Sequence, residues 1–181
     1  MTDGLSGRLL IAGPSLGDPN FDRTIVYLLE HAAEGALGVV LNRPSALEVR
    51  ETLPQWTGTA APPGVIFSGG PVEADAVLGL ARVRDATDCA GWTSIDGTIG
   101  TVDLAMDPDG VLAGVDEVRI YLGYAGWGAG QLDEEVGAGA WFVVEPGPDD
   151  VFNPAPDRLW GEVLRRDAAR NAMAVGNPSW N

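Results

Sequence analysis

The chain has no lysine: all 11 of its basic residues are arginine. That absence excludes a lysine-bearing phosphate loop, a Schiff-base site and a lysine general base. One cysteine, Cys89, and one histidine, His31, leave no material for an intramolecular disulfide or a His/Cys zinc cage. Carboxylate-rich sites for Mg or Ca are the main metal option that survives, and because the acidic residues are spread along the chain they read as a solvated surface. No metal or cofactor is expected. Nor does any apolar run approach the roughly 20 residues that span a bilayer. Leu9-Leu10-Ile11-Ala12 is too short for a signal-peptide core. A soluble cytoplasmic protein without a membrane partner is expected. Basic charge is scarce as well: 26 acidic residues against 11 basic ones leave a net charge of -15, which repels nucleic acid at long range. Direct nucleic-acid binding is therefore disfavoured.

What is present suffices for a core. The 181 residues are 45% hydrophobic and 20% charged, the size and composition of one domain spanning 1–181. Strand-like runs bounded by Gly, Pro, Asn or Asp occupy 8–13, 23–30, 37–42, 64–68, 76–83, 98–104, 117–124 and 140–145. The short Gly-ended link from His31 to Gly35 predicts an antiparallel hairpin between the second and third. Ser45-Ala-Leu-Glu48 matches a helix capping box, with Pro54 ending that helix. Gln131 to Val136 predicts a short helix. Asp157 to Ala169 predicts a longer one, with Leu159, Trp160, Val163 and Leu164 on one stripe. Gln55 to Pro63 and Pro146 to Pro156 read as surface loops. Strands outnumber helices without alternating with them, which favours an α+β fold around a mixed sheet over a doubly wound one.

Several motifs carry a chemical reading beside a plainer one. Gly13-Pro-Ser15-Leu-Gly17 has the G-x-S-x-G form of a nucleophile elbow, but a second strand follows where the elbow needs a helix. The segment from Val118 through Gly126-Trp127-Gly128-Ala-Gly130 to Glu145 mimics a dinucleotide-binding unit, yet the third glycine position is Gln131 and three acids crowd the helix start. A tight turn that lets Trp127 pack on the sheet explains it better. Ser68-Gly69-Gly70-Pro71 offers two glycines for an anion nest, with Pro71 pre-set for a first helical residue; the plainer reading is a turn needing positive φ. His31 has the right pKa for neutral acid/base work, but a hydrogen-bonded turn residue is the simpler role. Cys89 sits beside Asp88, which disfavours a thiolate, and no role is assigned to it.

Read together, five blocks resemble the AlgH/YqgE family of small bacterial proteins. They are Gly7-Arg-Leu-Leu10; Phe21-Asp22-Arg23-Thr24 with Glu30-His31; Gly38-Val-Val-Leu-Asn42-Arg43-Pro44; Ser68-Gly69-Gly70-Pro71-Val72; and Gly123-Tyr124-Ala125-Gly126-Trp127-Gly128 with Gln131-Leu132. A fainter likeness continues through Leu159-Trp160 to Asn177-Pro178-Ser179-Trp180-Asn181. The resemblance implies an α+β fold whose central mixed sheet curls into a barrel-like shape flanked by helices. It carries the label of transcriptional regulator but no reaction or catalytic residues.

The expectation is thus a non-enzymatic binding or regulatory module with a protein or small-molecule partner. The alternative is a small-molecule or nucleotide-binding enzyme using arginines and carboxylates, Arg23 and Arg43 among them. If the family-like blocks mark one site, Asn42, Arg43, Ser68, Gly69, Gly70 and Trp127 should gather at neighbouring strand ends. Arg43, held extended by Pro44, is expected to serve structure first, with Arg43→Ala costing about 1–3 kcal/mol.

Overall fold

Strands covered on both faces read as unbroken apolar runs, because neither side needs polar residues. The computed structural model describes residues 4–13, 16–84, 91–108 and 114–175 and places the two faces of such strands in different cores. Strand β1 (Leu9–Ala12) sends Leu9 and Ile11 to one side and Leu10 to the other. Its neighbour β2 (Ile25–Ala32) divides in the same way, Ile25 and Tyr27 against Val26 and Leu28. Strand β3 (Gly35–Val40) closes the expected hairpin, with Ala32 opposite Gly35.

The remaining elements are β4 (Pro44–Glu48), α1 (Val49–Thr52), β5 (Val65–Ser68), β6 (Val72–Val83), β7 (Trp92–Asp96), β8 (Ile99–Val102), β9 (Val115–Gly128), α2 (Gln131–Gly137), β10 (Trp141–Val144) and α3 (Pro156–Val175). The sheet order is β10-β1-β2-β3-β9-β6-β8-β7, antiparallel at every step. Strand β5 adds the parallel pairing, against β9, and carries β4 on its other side. The sheet is therefore mixed, mostly antiparallel, and curled into a half-barrel. Its curl brings Gly7, before β1, against Asp96 at the end of β7, where a Cβ on Gly7 would lie 2.9 Å from the Asp96 Cβ.

Helix α3 packs into one core through Leu159 and Val163, with Trp160 and Leu164 partly buried beside them. The stripe expected of that helix is the one it buries. Leu132 of α2 belongs to the core on the other face of β1 and β2, and Trp56 with Val49 of α1 to a third, against Val118 and Ile120 of β9. On the opposite face of β9 stand Arg119 and Tyr121. Buried Arg119 donates to the carbonyls of Val151 (3.1 Å) and Pro62 (2.5 Å), with its guanidinium 4.5 Å from the Phe67 ring centroid. Burial lowers its pKa, but an arginine stays protonated at neutral pH. Burial also pushes the Tyr27 and Tyr121 phenols up, away from any neutral-pH titration.

Four expectations need correction. Ser45 to Glu48 form β4 instead of a helix cap: the Ser45 hydroxyl donates to the Ile66 carbonyl of β5 (2.6 Å), and α1 begins only at Val49. Pro71 leads into strand β6, not a helix. Gly126, Trp127 and Gly128 are the end of β9, and the turn comes after them. The two loops are also less superficial than their composition suggests. Trp56 and Ala61 in the first, and Asp150, Val151 and Phe152 in the second, are buried. The Asp150 carboxylate accepts from Gly147 N (2.5 Å) and from Arg166 of α3 (2.6 Å), which ties that loop to the helix. Strand β7, with its mostly exposed side chains, lacked an apolar run to announce it.

Candidate functional site

The segment entering β2 is bound by its own short-range chemistry and by one residue far along the chain. Asp18 accepts the Asn20 N–H (2.9 Å), opening a 3-10 turn over Pro19–Phe21, and the Thr24 hydroxyl donates to the Phe21 carbonyl (2.8 Å). The Asn42 side chain then clamps the backbone from the next strand connection. Its Nδ2 donates to the Arg23 carbonyl (2.9 Å), and its Oδ1 accepts from Ile25 N (3.0 Å). The two bonds bracket Thr24, and Arg23, whose carbonyl takes the first of them, stands at φ 53°, the left-handed region that costs a residue with a Cβ roughly 1–2 kcal/mol. Strain of this kind persists only where the surroundings enforce it, and it is a pointer to function.

The strained residue lines a cleft. About 590 Å³ in volume, it is lined by Ala12, Gly13, Leu16, Gly17, Asp18, Pro19, Asp22, Arg23 and Trp160. The Arg23 guanidinium lies 5.6 Å from the Trp160 ring centroid. Among the described residues, no hydrogen bond or ion pair engages either that guanidinium or the Asp22 carboxylate. If the strain at Arg23 is local, Arg23→Gly should unfold at higher urea than Arg23→Ala, by about 0.5–1 kcal/mol, since both lose the Trp160 contact and only glycine relaxes φ. Equal midpoints would place the strain elsewhere.

The structure brings most of the sequence candidates to the far side of this segment. Arg43 reaches back to the Pro19 and Asp22 carbonyls, both at 3.4 Å, and its own carbonyl accepts from Ser68 N (2.8 Å). Arg43, Ser68 and Gly70 share a small cleft of about 90 Å³ with Asn20, Val40 and Pro71. Trp127 is not among them. It pairs with Ala36 at the start of β3, whereas the Gly69 carbonyl accepts from Val40 at that strand's end. Arg43→Ala is accordingly expected to cost under about 1 kcal/mol, less than the sequence suggests, because both contacts are long and partly exposed. A loss of 2 kcal/mol or more in urea unfolding would contradict the geometry.

Ser68-Gly69-Gly70 is a close backbone crossing. Gly69 N donates to the Leu122 carbonyl (2.7 Å), so with Ser68 N bound to Arg43 two N–H groups of an anion nest are already engaged. Gly70, at φ 153°, passes so near β9 that a Cβ there would fall 2.2 Å from the Tyr124 carbonyl carbon.

The other motifs resolve into structure. His31 is buried, its Nε2 3.3 Å from an Asp133 carboxylate oxygen, at the far end of β2 from Arg23. Strands β9 and β10 are separated in the sheet by β3, β2 and β1, so the segment from Val118 to Glu145 does not form a dinucleotide-binding βαβ unit. Ser15, Cys89 and Asn177–Asn181 lie outside the described residues, while the Gly13 and Gly17 that flank Ser15 lead to a 3-10 turn and a strand, without the helix of an elbow.

Two contributors escaped the sequence reading. Glu135 of α2 accepts indole N–H groups from Trp127 (3.0 Å) and Trp141 (2.8 Å), and the amide of Gln131 (3.0 Å). Phe21 meets Trp141 edge-on at 5.2 Å, so this hub anchors the segment that carries Arg23. Trp160 shows in the sequence as a member of a core stripe and of the fainter family likeness, but not as a site residue. Among the described residues no group of three His, Cys, Asp or Glu could hold a metal ion, and no helix is long and apolar enough to cross a membrane.

Known proteins are similar to this chain in sequence and fold. The AlgH-like family profile matches residues 9–170. A UPF0301 protein of Streptomyces avermitilis is 49% identical over 178 residues, covering 96% of this chain and 92% of its own length. One from Mycobacterium avium is 43% identical over 176 residues, covering 96% and 88%. In structure, a crystal structure from Corynebacterium diphtheriae matches with a TM-score of 0.83 and 30% identity, over 91% of this chain and 87% of that one. The solution structure of AlgH from Pseudomonas aeruginosa matches with a TM-score of 0.67 and 35% identity, over 90% and 88%. With a family match over most of its length and relatives at such identity, the chain belongs to the AlgH-like family.

Proposed function

We propose that this protein is a single-domain, non-enzymatic binding module whose small-molecule ligand occupies the cleft that Arg23 and Trp160 line together. The observation that carries the reading is Arg23 itself, clamped by Asn42 in a left-handed conformation with its charge beside a partly buried indole. In this reading Asn42 and Arg43 hold the ligand-facing segment, and Ser68, Gly69 and Gly70 form the floor against which Arg43 is placed. Trp127 acts at one remove, through Glu135, Trp141 and Phe21. The one imidazole of the chain is engaged with Asp133 away from the cleft, which leaves only carboxylates for acid/base work there. Any regulatory role would run through ligand or protein contacts, since a net charge of -15 opposes duplex binding.

A thermal-shift screen of a metabolite collection against the wild type and Arg23→Gln tests this. The expected result is a ligand that raises the wild-type midpoint and loses its effect in the variant. Ligands acting equally on both proteins, Arg23-dependent turnover of a metabolite, or a duplex gel shift at physiological salt would each overturn the reading.

A further inference from the structure

We infer that the ligand of this cleft is a small zwitterion of the α-amino acid type, one that carries a carboxylate, an ammonium and an apolar side chain. The inference rests on the binding reading above and adds the chemistry of the occupant. The cleft holds one guanidinium, Arg23, flanked by two carboxylates, Asp18 and Asp22. These charges differ in how far the protein already uses them. Asp18 spends one oxygen on the Asn20 N–H, whereas no ion pair or hydrogen bond among the described residues engages Asp22 or the Arg23 guanidinium.

Among the described residues these two charges of opposite sign, on adjacent residues of one turn, form no ion pair with each other or with a third group, and Arg23 lies against the Trp160 ring. A ligand bearing a single sign meets one partner and one opponent there. Polyphosphates and nucleotides fare worst, because two carboxylates and an acidic chain oppose them. A simple amine is repelled by Arg23, and a simple acid by Asp22. A ligand with both signs satisfies both, its carboxylate forked by the guanidinium and its ammonium against Asp22. The remaining lining, Ala12, Leu16, Pro19 and the Trp160 ring, is apolar and adjoins the charged pair, which suits a hydrocarbon or aromatic side chain. A volume of about 590 Å³ accommodates an amino acid or a dipeptide. The backbone clamp at Arg23 fixes where its side chain leaves the main chain, and the Trp160 contact limits its reach, which lowers the ordering cost of binding.

Isothermal titration of the full chain with leucine and phenylalanine, their deaminated acids, their decarboxylated amines and their N-acetyl amides tests the assignment. The expected result is binding of at least one amino acid, with each single-charge analogue at least about tenfold weaker and the blocked amide weaker still. In Arg23→Gln the preference for the carboxylate should vanish. Asp22→Asn should lose the preference for the ammonium, and since both residues are exposed, each variant can be checked for an unchanged unfolding midpoint. A single-charge analogue binding as tightly as the amino acid overturns the zwitterion. So does a screened metabolite of another charge type that depends on Arg23 while no amino acid binds, and that outcome leaves the binding module standing. If no compound of either set depends on Arg23, both readings fall.

Discussion

Replacing Glu135 by alanine is expected to lower the unfolding free energy by about 2–4 kcal/mol, because two buried indole N–H groups lose a charged acceptor at once. Trp141 is 1% exposed and Trp127 is 8% exposed, so water cannot readily replace the carboxylate. The two rings also pack edge to face, with centroids 5.8 Å apart, and α2 holds its place on β9 and β10 through the same contacts. Glu135→Gln keeps one oxygen acceptor and should recover about half of the loss, since a neutral hydrogen bond is roughly half as strong as a charge-assisted one. Urea unfolding followed by tryptophan fluorescence reads both variants. The effect should also reach the cleft, because Phe21 rests on Trp141 two residues before Arg23. A Glu135→Ala protein with wild-type stability would mean that the hub is incidental.

Gly70→Ala should be at least as damaging, with a loss of about 3 kcal/mol or more, or no folded protein at all. The new Cβ would lie 2.2 Å from the Tyr124 carbonyl carbon and 2.3 Å from its oxygen, and backbone on a central strand cannot step aside as a flexible side chain could. Gly69→Ala meets the Gly123 carbonyl at 2.3 Å and should behave similarly. Gly137→Ala, at the end of α2 with nothing within 4 Å, is the control and should be neutral or slightly stabilising. The series separates two roles of the Ser68-Gly69-Gly70 block. Folded, stable Gly69 and Gly70 variants with altered ligand response would favour a binding loop over a crossing that only glycine permits.

Much of the sheet is legible residue by residue. The runs at β1, the first half of β2 and β3 announce themselves because apolar residues on both faces leave no room for polar alternation, and Gly, Asn or Asp stands near their ends. The β2–β3 hairpin follows from a link too short for anything else. Strand β4 shows where local reading fails. Ser45 and Glu48 stand at capping-box spacing, but the Ser45 hydroxyl finds the Ile66 carbonyl, 21 residues away, and pairing with β5 outweighs a few local hydrogen bonds. The candidate site divides in the same manner. Asn42, Arg43, Ser68, Gly69 and Gly70 can be picked out as family-like blocks. That Asn42 clamps Arg23 from 19 residues away cannot be read from either block alone.

Composition and local pattern alone make this a lysine-free, acidic, strand-rich chain with one histidine and one cysteine, and a family-like order of glycine and arginine blocks. Those properties are local or compositional and survive any arrangement of the chain. That Glu135 joins two tryptophans, that Gly69 and Gly70 pass between strands, and that Arg23 meets Trp160 in the wall of one cleft is set by the assembled fold. The last two depend on contacts between residues far apart in the chain, and the first on β9, α2 and β10 folding onto one another. Their energies exist only once the sheet has curled and α3 has docked, and no propensity along the chain encodes such distances.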